Sequence, residues 1–529
     1  MQSQTRYSYQ LALIVSLGGF VFGFDASVIS GVIGFVSQEF QLSTLEMGWI
    51  VSAPTAGSAL AALLIGYATD FFGRKRILIT IAALYLVSAV FSAFATSFAG
   101  LATARFIGGL AFASLIVAPI YIAEVAPAKV RGKMVSFNQM SIVIGFSAAY
   151  FANYTILQLS QSGADWVTNI GLDTNVWRYM LGLEALPAAL YLLMLFTIEE
   201  SPRWLVVKGR IDDAKRVLGK LMSPSAISEQ LAQLQSHSAG KKQGLLAELK
   251  VLFSPRLRLA LMLGLAVGII QQFSGINAVF FYAPTIFEQS GVGTDAAFAQ
   301  AVWIGLTNVI FTVVAIMLID RLGRKPLMLM GLVGVFVSMS IIAYGFAQGT
   351  YVLTPEVIAQ LPQALNSELL NPLVNHVFES DIEYKQALIA LLGDSDFRAH
   401  ESALIQAAAN LNSTLILAGI TGFVASFAVS LGPVMWVLLS EIFPNHIRGI
   451  AIAFVGVFNS GSSFLVQQFF PWQLANLGSA TTFLCYGLFA LVGLVVVSKM
   501  LPETRGKSLE ELEDMLCKEP EAEPQGVKA

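Results

Sequence analysis

GYATDFFGRKR (66–76) returns later in the chain as MLIDRLGRKP (317–326): an acid, Asp70 or Asp320, is followed three residues on by glycine and then by two basic residues. Each stretch closes one apolar run and opens another, as glycine and clustered charge do between helices. Two further echoes flank this one. Glu124, Pro127, Arg131 and Gly132 of YIAEVAPAKVRG match Glu441, Pro444, Arg448 and Gly449 of LLSEIFPNHIRG at the same spacing, and EESPRWL (199–205) is answered by LPETRGK (501–507). One plan is used twice in the chain.

Between these marks lie apolar runs of the length needed to cross a hydrocarbon core, roughly 20 residues at 1.5 Å each. They fall near 10–35, 46–69, 77–97, 100–123, 134–157 and 179–198, then near 256–287, 297–319, 327–348, 410–439, 450–472 and 480–500. Of the 529 residues, 56% are hydrophobic and only 12% charged, and mean hydropathy is +0.69, which excludes an ordinary soluble globule. A net charge of −3 with no basic tail gives no sign of a nucleic-acid partner. Cys485 and Cys517 are too few and too differently placed for a disulfide framework and read as free thiols. The first apolar run lacks a cleavage pattern and reads as a retained span.

Lysine and arginine set the orientation. Of 31 such residues only Arg178, Lys385 and Arg398 fall on the outer side, and Arg105 lies within a span, so both termini are expected in the cytoplasm. The expected organisation is a six-helix half over 1–198, a cytoplasmic linker with helices over 199–255, a second half over 256–501 and a tail over 502–529. The loop from about 349 to 409 is long and acidic and reads as a solvated external cap with short helices.

Nine motifs in order resemble the sugar porters of the major facilitator superfamily, and among them the bacterial proton-coupled pentose and hexose (xylose-type) symporters. They are GGFVFGFDASVISG (18–31), DFFGRKR (70–76), RFIGG (105–109), PIYIAEVAPAKVRG (119–132), SPRWL (201–205), QQFSGINAVFFYAP (271–284), DRLGRKP (320–326), GPVMWVLLSEIFP (432–444) and PETRGKSLEELE (502–513). The resemblance implies an all-α membrane protein of the major facilitator fold, with twelve transmembrane helices in two six-helix halves, intracellular helices, and a substrate site between the halves at mid-membrane. It further implies a bacterial inner-membrane carrier acting as a monomer, with a sugar, a proton and the lipid bilayer as its partners and no cofactor.

For the sugar, the resemblance points to Gln139 in the fifth span, Gln271, Gln272 and Asn277 in the seventh, Asn308 in the eighth, Trp436 in the tenth and Asn459 in the eleventh. Chemistry agrees for the seventh. Sugar hydroxyls both donate and accept, so amides suit them, and buried amides without a partner would each cost a few kcal/mol. Gln271 and Tyr282 are three turns apart on one helical face, and Gly275 permits a local break that turns Asn277 inward. The sequence departs from the family where Phe281 replaces the first tyrosine of a pair and Ser460 stands where many members carry tryptophan.

Asp25 lies in the middle of an apolar span, where an ionised acid costs about 2.5–3.5 kcal/mol on insertion scales. Arg105 is its expected partner, a pairing the resemblance supports, and a changing separation between them would switch the acid's affinity for a proton. At the inner ends Asp70, Arg74, Glu124 and Arg131, with Asp320, Arg324, Glu441 and Arg448 in the second half, are expected to form ion pairs that gate the cytoplasmic side. No metal motif, nucleophile elbow or phosphate loop is found, so an enzyme is not expected. A passive sugar facilitator is the alternative to symport, and a non-transporting sugar sensor a more remote one.

Overall fold

The computed structural model describes residues 2–516 apart from 128–129, 239–244, 360, 362–364, 366, 445–446, 506 and 508. Among the described residues twelve helices are long and apolar enough to cross a membrane. Six are Thr5–Glu39, Thr44–Phe72, Arg74–Ala93, Phe98–Val125, Arg131–Ser160 and Val176–Leu195. The other six are Pro255–Phe281, Thr294–Ile319, Arg324–Ala347, Ser413–Ile442, Arg448–Asn476 and Gly478–Met500. Each overlaps the run expected from hydropathy, and they are numbered here as spans one to twelve.

Local chemistry fixes where spans begin and break. Before the second, the Ser43 hydroxyl accepts from Glu46 N at 3.3 Å and the Glu46 carboxylate accepts from Ser43 N at 2.8 Å, a reciprocal cap that satisfies two orphan donors. The tenth breaks at Ser430 (φ −124°, ψ −91°) and restarts with Pro433 in the first turn of the new piece, where a missing N–H costs nothing. The seventh is broken twice. Gly275 (φ +88°) separates Arg258–Phe273 from Ile276–Phe281, and Tyr282 separates that piece from Ala283–Gln289. The second break, which shortens the seventh span, was not expected from sequence.

Gly275 sits in the left-handed region, and a Cβ there would lie 2.8 Å from the Tyr486 ring, itself held by a 2.7 Å hydrogen bond from its hydroxyl to Gln473 Oε1. Gly275→Ala is therefore expected to destabilise the protein by about 1–3 kcal/mol, seen as a lower melting temperature in detergent.

The first span packs on the fifth through close backbone approach at Gly19, Gly23 and Gly145, the small-residue crossing that membrane helices use in place of a hydrophobic driving force. The two sets of six meet along the second and eleventh spans and along the fifth and eighth. Four short helices, Pro202–Val207, Ile211–Leu221, Pro224–Ser238 and Leu245–Leu252, occupy the linker and define the linker end of the bundle.

The all-α expectation holds for the bundle, and the opposite end carries the long loop, which adds a small sheet. Three strands, β1 (Thr350–Val352), β2 (Val377–Phe378) and β3 (Ala409–Asn410), form a sheet in the order β2-β1-β3, with Tyr351 opposite both Phe378 and Ala409. Helices Asp381–Leu392 and Asp394–Ala408 cover it. This cap has a core of its own that includes Tyr351, Phe378, Tyr384, Leu388 and Leu404, and the Tyr384 hydroxyl donates to the Leu404 carbonyl at 2.9 Å. Lys385, expected on a solvated surface, is only 5% exposed. Cys485 is a free thiol, and Cys517 lies outside the described residues.

Candidate functional site

Two breaks in the seventh span turn its polar residues toward the eleventh, whose polar side chains recur every fourth residue. Gln272 Nε2 donates to Asn459 Oδ1 and to Gln271 Oε1, both at 3.2 Å, and Asn459 Nδ2 donates back to Gln271 Oε1 and to the Gly268 carbonyl, both at 2.8 Å. Asn277 Nδ2 donates to Gln272 Oε1 at 2.8 Å and Ser463 Oγ at 2.6 Å, and the Tyr282 hydroxyl donates to the Gln467 carbonyl at 3.0 Å. Gln271 Nε2 reaches the Leu431 carbonyl at 3.0 Å, just after the break in the tenth span. Thus Gln271, Gln272, Asn277, Tyr282 and Asn459 form one cluster. The amides there donate to one another, to Ser463 and to the Gly268 and Leu431 carbonyls, and a hydroxylated guest could take over those same bonds.

Ser463 and Gln467 belong to this cluster and were not expected. Their signal is spacing: 459, 463 and 467 share one helical face. Gln467 also accepts from Thr55 Oγ1 at 3.0 Å, which carries the network across to the second span.

The remaining expected residues stand apart. Asn308 is buried, while Gln139 and Trp436 are exposed, Trp436 by 46%. Among the described residues none of the three has a hydrogen bond to the cluster. Gln139 lies two helical turns from Phe146, on the stripe that brings Phe146 against Phe280 (centroids 5.3 Å apart) and the Tyr150 hydroxyl to the Phe280 carbonyl at 2.5 Å. Phe281, in place of a tyrosine, stacks on Phe146 at 6.5 Å.

Exposure follows from how the halves meet. On the cap side they are joined by Ser52 Oγ donating to Gln468 Oε1 (2.9 Å), Gln468 Nε2 to the Leu45 carbonyl (2.8 Å), and Ser147 Oγ to the Gly305 carbonyl (2.7 Å). Along the same stripe of the second span, Gly48 and Ser52 are buried, but nearer the linker end Ala62 and Gly66 are exposed, and a Cβ on Gly66 would meet nothing within 4 Å. Gly456 and Gly461 of the eleventh span are equally open. A cleft between the halves therefore opens at the linker end and closes at the cap end.

Asp25 and Arg105 are brought together as expected, 0% and 2% exposed. Arg105 donates through Nη1 to Asp25 Oδ1 and through Nη2 to the Asp25 carbonyl, the latter at 3.2 Å. Gly108 makes room, since a Cβ there would lie 3.1 Å from Asp25 Oδ2. A second acid in this cluster was missed. Glu184 of the sixth span, 1% exposed, interacts electrostatically with both Asp25 and Arg105, and its Oε1 has no hydrogen-bond partner among the described residues. The signal was available, because Glu184 interrupts an apolar run as Asp25 does.

At the linker end the repeat becomes geometry. In the first half Arg74 pairs with Glu124 (Nε to Oε2, 3.2 Å) and with Asp70 (3.5 Å), while Glu200 accepts from Arg74 N at 2.9 Å. In the second, Arg324 Nη2 lies 2.8 Å from Glu441 Oε1, and Glu503 accepts from Arg324 N at 3.1 Å. Gly73 (φ +93°) and Gly323 (φ +95°) make the matching turns. These pairs join spans within one half. Arg131 is exposed without an ion pair among the described residues, so the spacing that places it beside Glu124 in sequence does not make a contact. Arg448 donates to its own turn, at the Phe443 carbonyl (3.3 Å), rather than to an acid. The Asp320 side chain lies outside the described residues. No group of three or more metal-ligating side chains is found among the described residues.

The family model for "Sugar (and other) transporter" matches residues 11–357 and 399–516. The chain is 32% identical over 512 residues to the arabinose-proton symporter of Bacillus subtilis (strain 168), covering 96% of this chain and 95% of that one. It is 32% identical over 550 residues to the D-xylose-proton symporter of Escherichia coli (strain K12), covering 97% and 96%. Its structure superimposes on an inward open conformation of the xylose transporter XylE from E. coli with a TM-score of 0.73 at 30% identity, covering 96% of this chain and 100% of that one.

Proposed function

Because the chain belongs to the family of sugar (and other) transporters, we propose that it imports a monosaccharide together with a proton by alternating access. It is a multi-pass membrane protein, and not an enzyme. The observation that carries the reading is the pairing of two different buried clusters: a self-satisfied set of amides at the cleft, and an acid–guanidinium group sealed from solvent beside it.

The mechanism follows from these residues. The linker end is the cytoplasmic side and the cap end the outer side, as the distribution of lysine and arginine supports, with both termini in the cytoplasm of a bacterial inner membrane. Sugar entering between the halves exchanges its hydroxyl bonds for those among Gln271, Gln272, Asn277 and Asn459. Asn308 and Trp436 contribute from the same half as these amides, and Gln139 closes on the sugar from the other half as the halves rock, with Tyr282 anchoring the broken seventh span. Two acids share one guanidinium in the coupling cluster, so a proton on an acid makes it neutral, and Asp25 takes that proton from outside. Loading frees Arg105 from Asp25, and release occurs inward. The ion pairs of Arg74 with Asp70 and Glu124, and of Arg324 with Glu441, brace the inner ends of the spans. Arg131, Arg448 and Asp320 lie where they can engage when the inner side closes. The halves divide at the 199–255 linker, and the unit of transport is a monomer.

The test is uptake into liposomes of purified protein, with xylose, glucose, galactose and arabinose in parallel, and with and without a protonophore. Sugar-dependent proton entry is expected for at least one of them. Sugar movement with no accompanying proton would overturn symport, and no movement of any sugar would overturn the carrier reading.

A further inference from the structure

The cap is an insertion relative to the family, since residues 358–398 fall between the two matched segments. Its attachments are unequal. Both of its chain ends run into the ninth and tenth spans, so it is covalently part of the second half. Side chains fasten it there too: Asp381 accepts from Ser479 N at the start of the twelfth span (2.9 Å), and Lys385 Nζ donates to Gln289 beside the seventh (2.9 Å).

To the first half, among the described residues, its helix Asp394–Ala408 packs on the first span, and its hydrogen bonds reach the turn between the first and second spans. Ser395 Oγ donates to Gln41 Oε1 at 2.9 Å, and Arg398 Nη1 donates to the Leu42 carbonyl at 3.2 Å. Asp394 fixes the other edge of that guanidinium, with Nη2 to Oδ2 at 2.5 Å, which leaves Nη1 aimed at Leu42. Glu46 in the first turn of the second span adds electrostatic attraction to Arg398. Beneath the contact lies a cavity of about 220 Å³ whose wall is shared by Phe35 of the first half, Glu288 and Phe298 of the second, and Ser402 and Gln406 of the cap.

We propose that the inserted cap is a strap across the outer mouth: it rides on the second half and must release Gln41 and Leu42 each time the carrier opens outward. The inference rests on alternating access, because only a rocking of the halves separates these groups. The contact exists with the outer side closed, so it biases the carrier toward the inward-open form. Nothing at the Leu42 carbonyl depends on a particular side chain at 42, so the holding groups are Arg398 and Ser395 of the cap itself.

The experiment uses the full chain with Cys485→Ser and Cys517→Ser, reconstituted in liposomes. Thr285→Cys in the cavity wall reports outward opening through its rate of labelling by an impermeant thiol reagent. Adding Arg398→Ala and Ser395→Ala is expected to speed labelling about fivefold, the equivalent of about 1 kcal/mol of lost hydrogen bonding. Separately, Gln41→Cys with Ser395→Cys, bridged by a short bifunctional thiosulfonate, is expected to lose at least tenfold in uptake (an order-of-magnitude figure) and to regain it on reduction. An unchanged labelling rate, or undiminished uptake by the bridged protein, overturns the strap. Absence of uptake by the unbridged pair variant would instead count against the carrier reading, and the labelling rates would still judge the strap.

Discussion

Asp25→Asn is expected to abolish concentrative uptake while leaving downhill sugar exchange in place. An asparagine keeps the size and can still accept from Arg105, so the packing around Gly108 is preserved, but it cannot carry a proton. One proton falling through ~100 mV supplies about 2.3 kcal/mol, enough at about 1.4 kcal/mol per tenfold to hold a sugar gradient of roughly 50-fold. Without it the attainable gradient is about one-fold. The measurement is the steady-state ratio of labelled sugar inside and outside energised vesicles, compared with counterflow in the same preparation. Accumulation by the variant would show that another group carries the proton, and Glu184, buried against the same arginine, is the first to examine.

Replacing Gln271 and Gln272 with leucine is expected to lower kcat/KM for sugar by about 100-fold or more, because each substitution removes an amide partner and leaves a buried sugar hydroxyl unsatisfied. The effect has two sources that can be separated. Asn459 Nδ2 now donates to Gln271 Oε1 and its Oδ1 accepts from Gln272, so the double variant also strips the resting protein of internal bonds. Melting temperature reports that loss, and equilibrium binding of sugar to protein of matched monodispersity reports the other. Undiminished uptake would mean that the sugar passes elsewhere.

The spans were legible because length and hydropathy alone decide what crosses a bilayer. The pairing of Asp25 with Arg105 was legible for a related reason, that hydrocarbon leaves a buried charge little alternative to a partner. Glu184 obeys the same rule, and it went unread because it lies near the middle of the weakest of the twelve apolar runs, where charge looks less out of place. The amides of the seventh span announced themselves by density and by Gly275. Ser463 and Gln467 did not, since hydroxyls and single amides are common in membrane helices and only their fourfold spacing from Asn459 sets them apart. Trp436 and Gln139 are exposed and make no hydrogen bond to the cluster among the described residues, and residue spacing does not express how the two halves stand to each other. The strands of the cap, two or three residues long, are too short to carry a period, and the burial of Lys385 is a tertiary effect with no local trace.

Asp25 and Arg105 are dry. Gln139 and Trp436 are exposed, yet the carboxylate and guanidinium are buried where the first span packs against the fourth and sixth. At 0% and 2% exposure the pair offers no accessible surface along which an aqueous path could pass it. A carrier that runs on the membrane potential gains from such a seal, because an open path beside its titrating acid would discharge that potential.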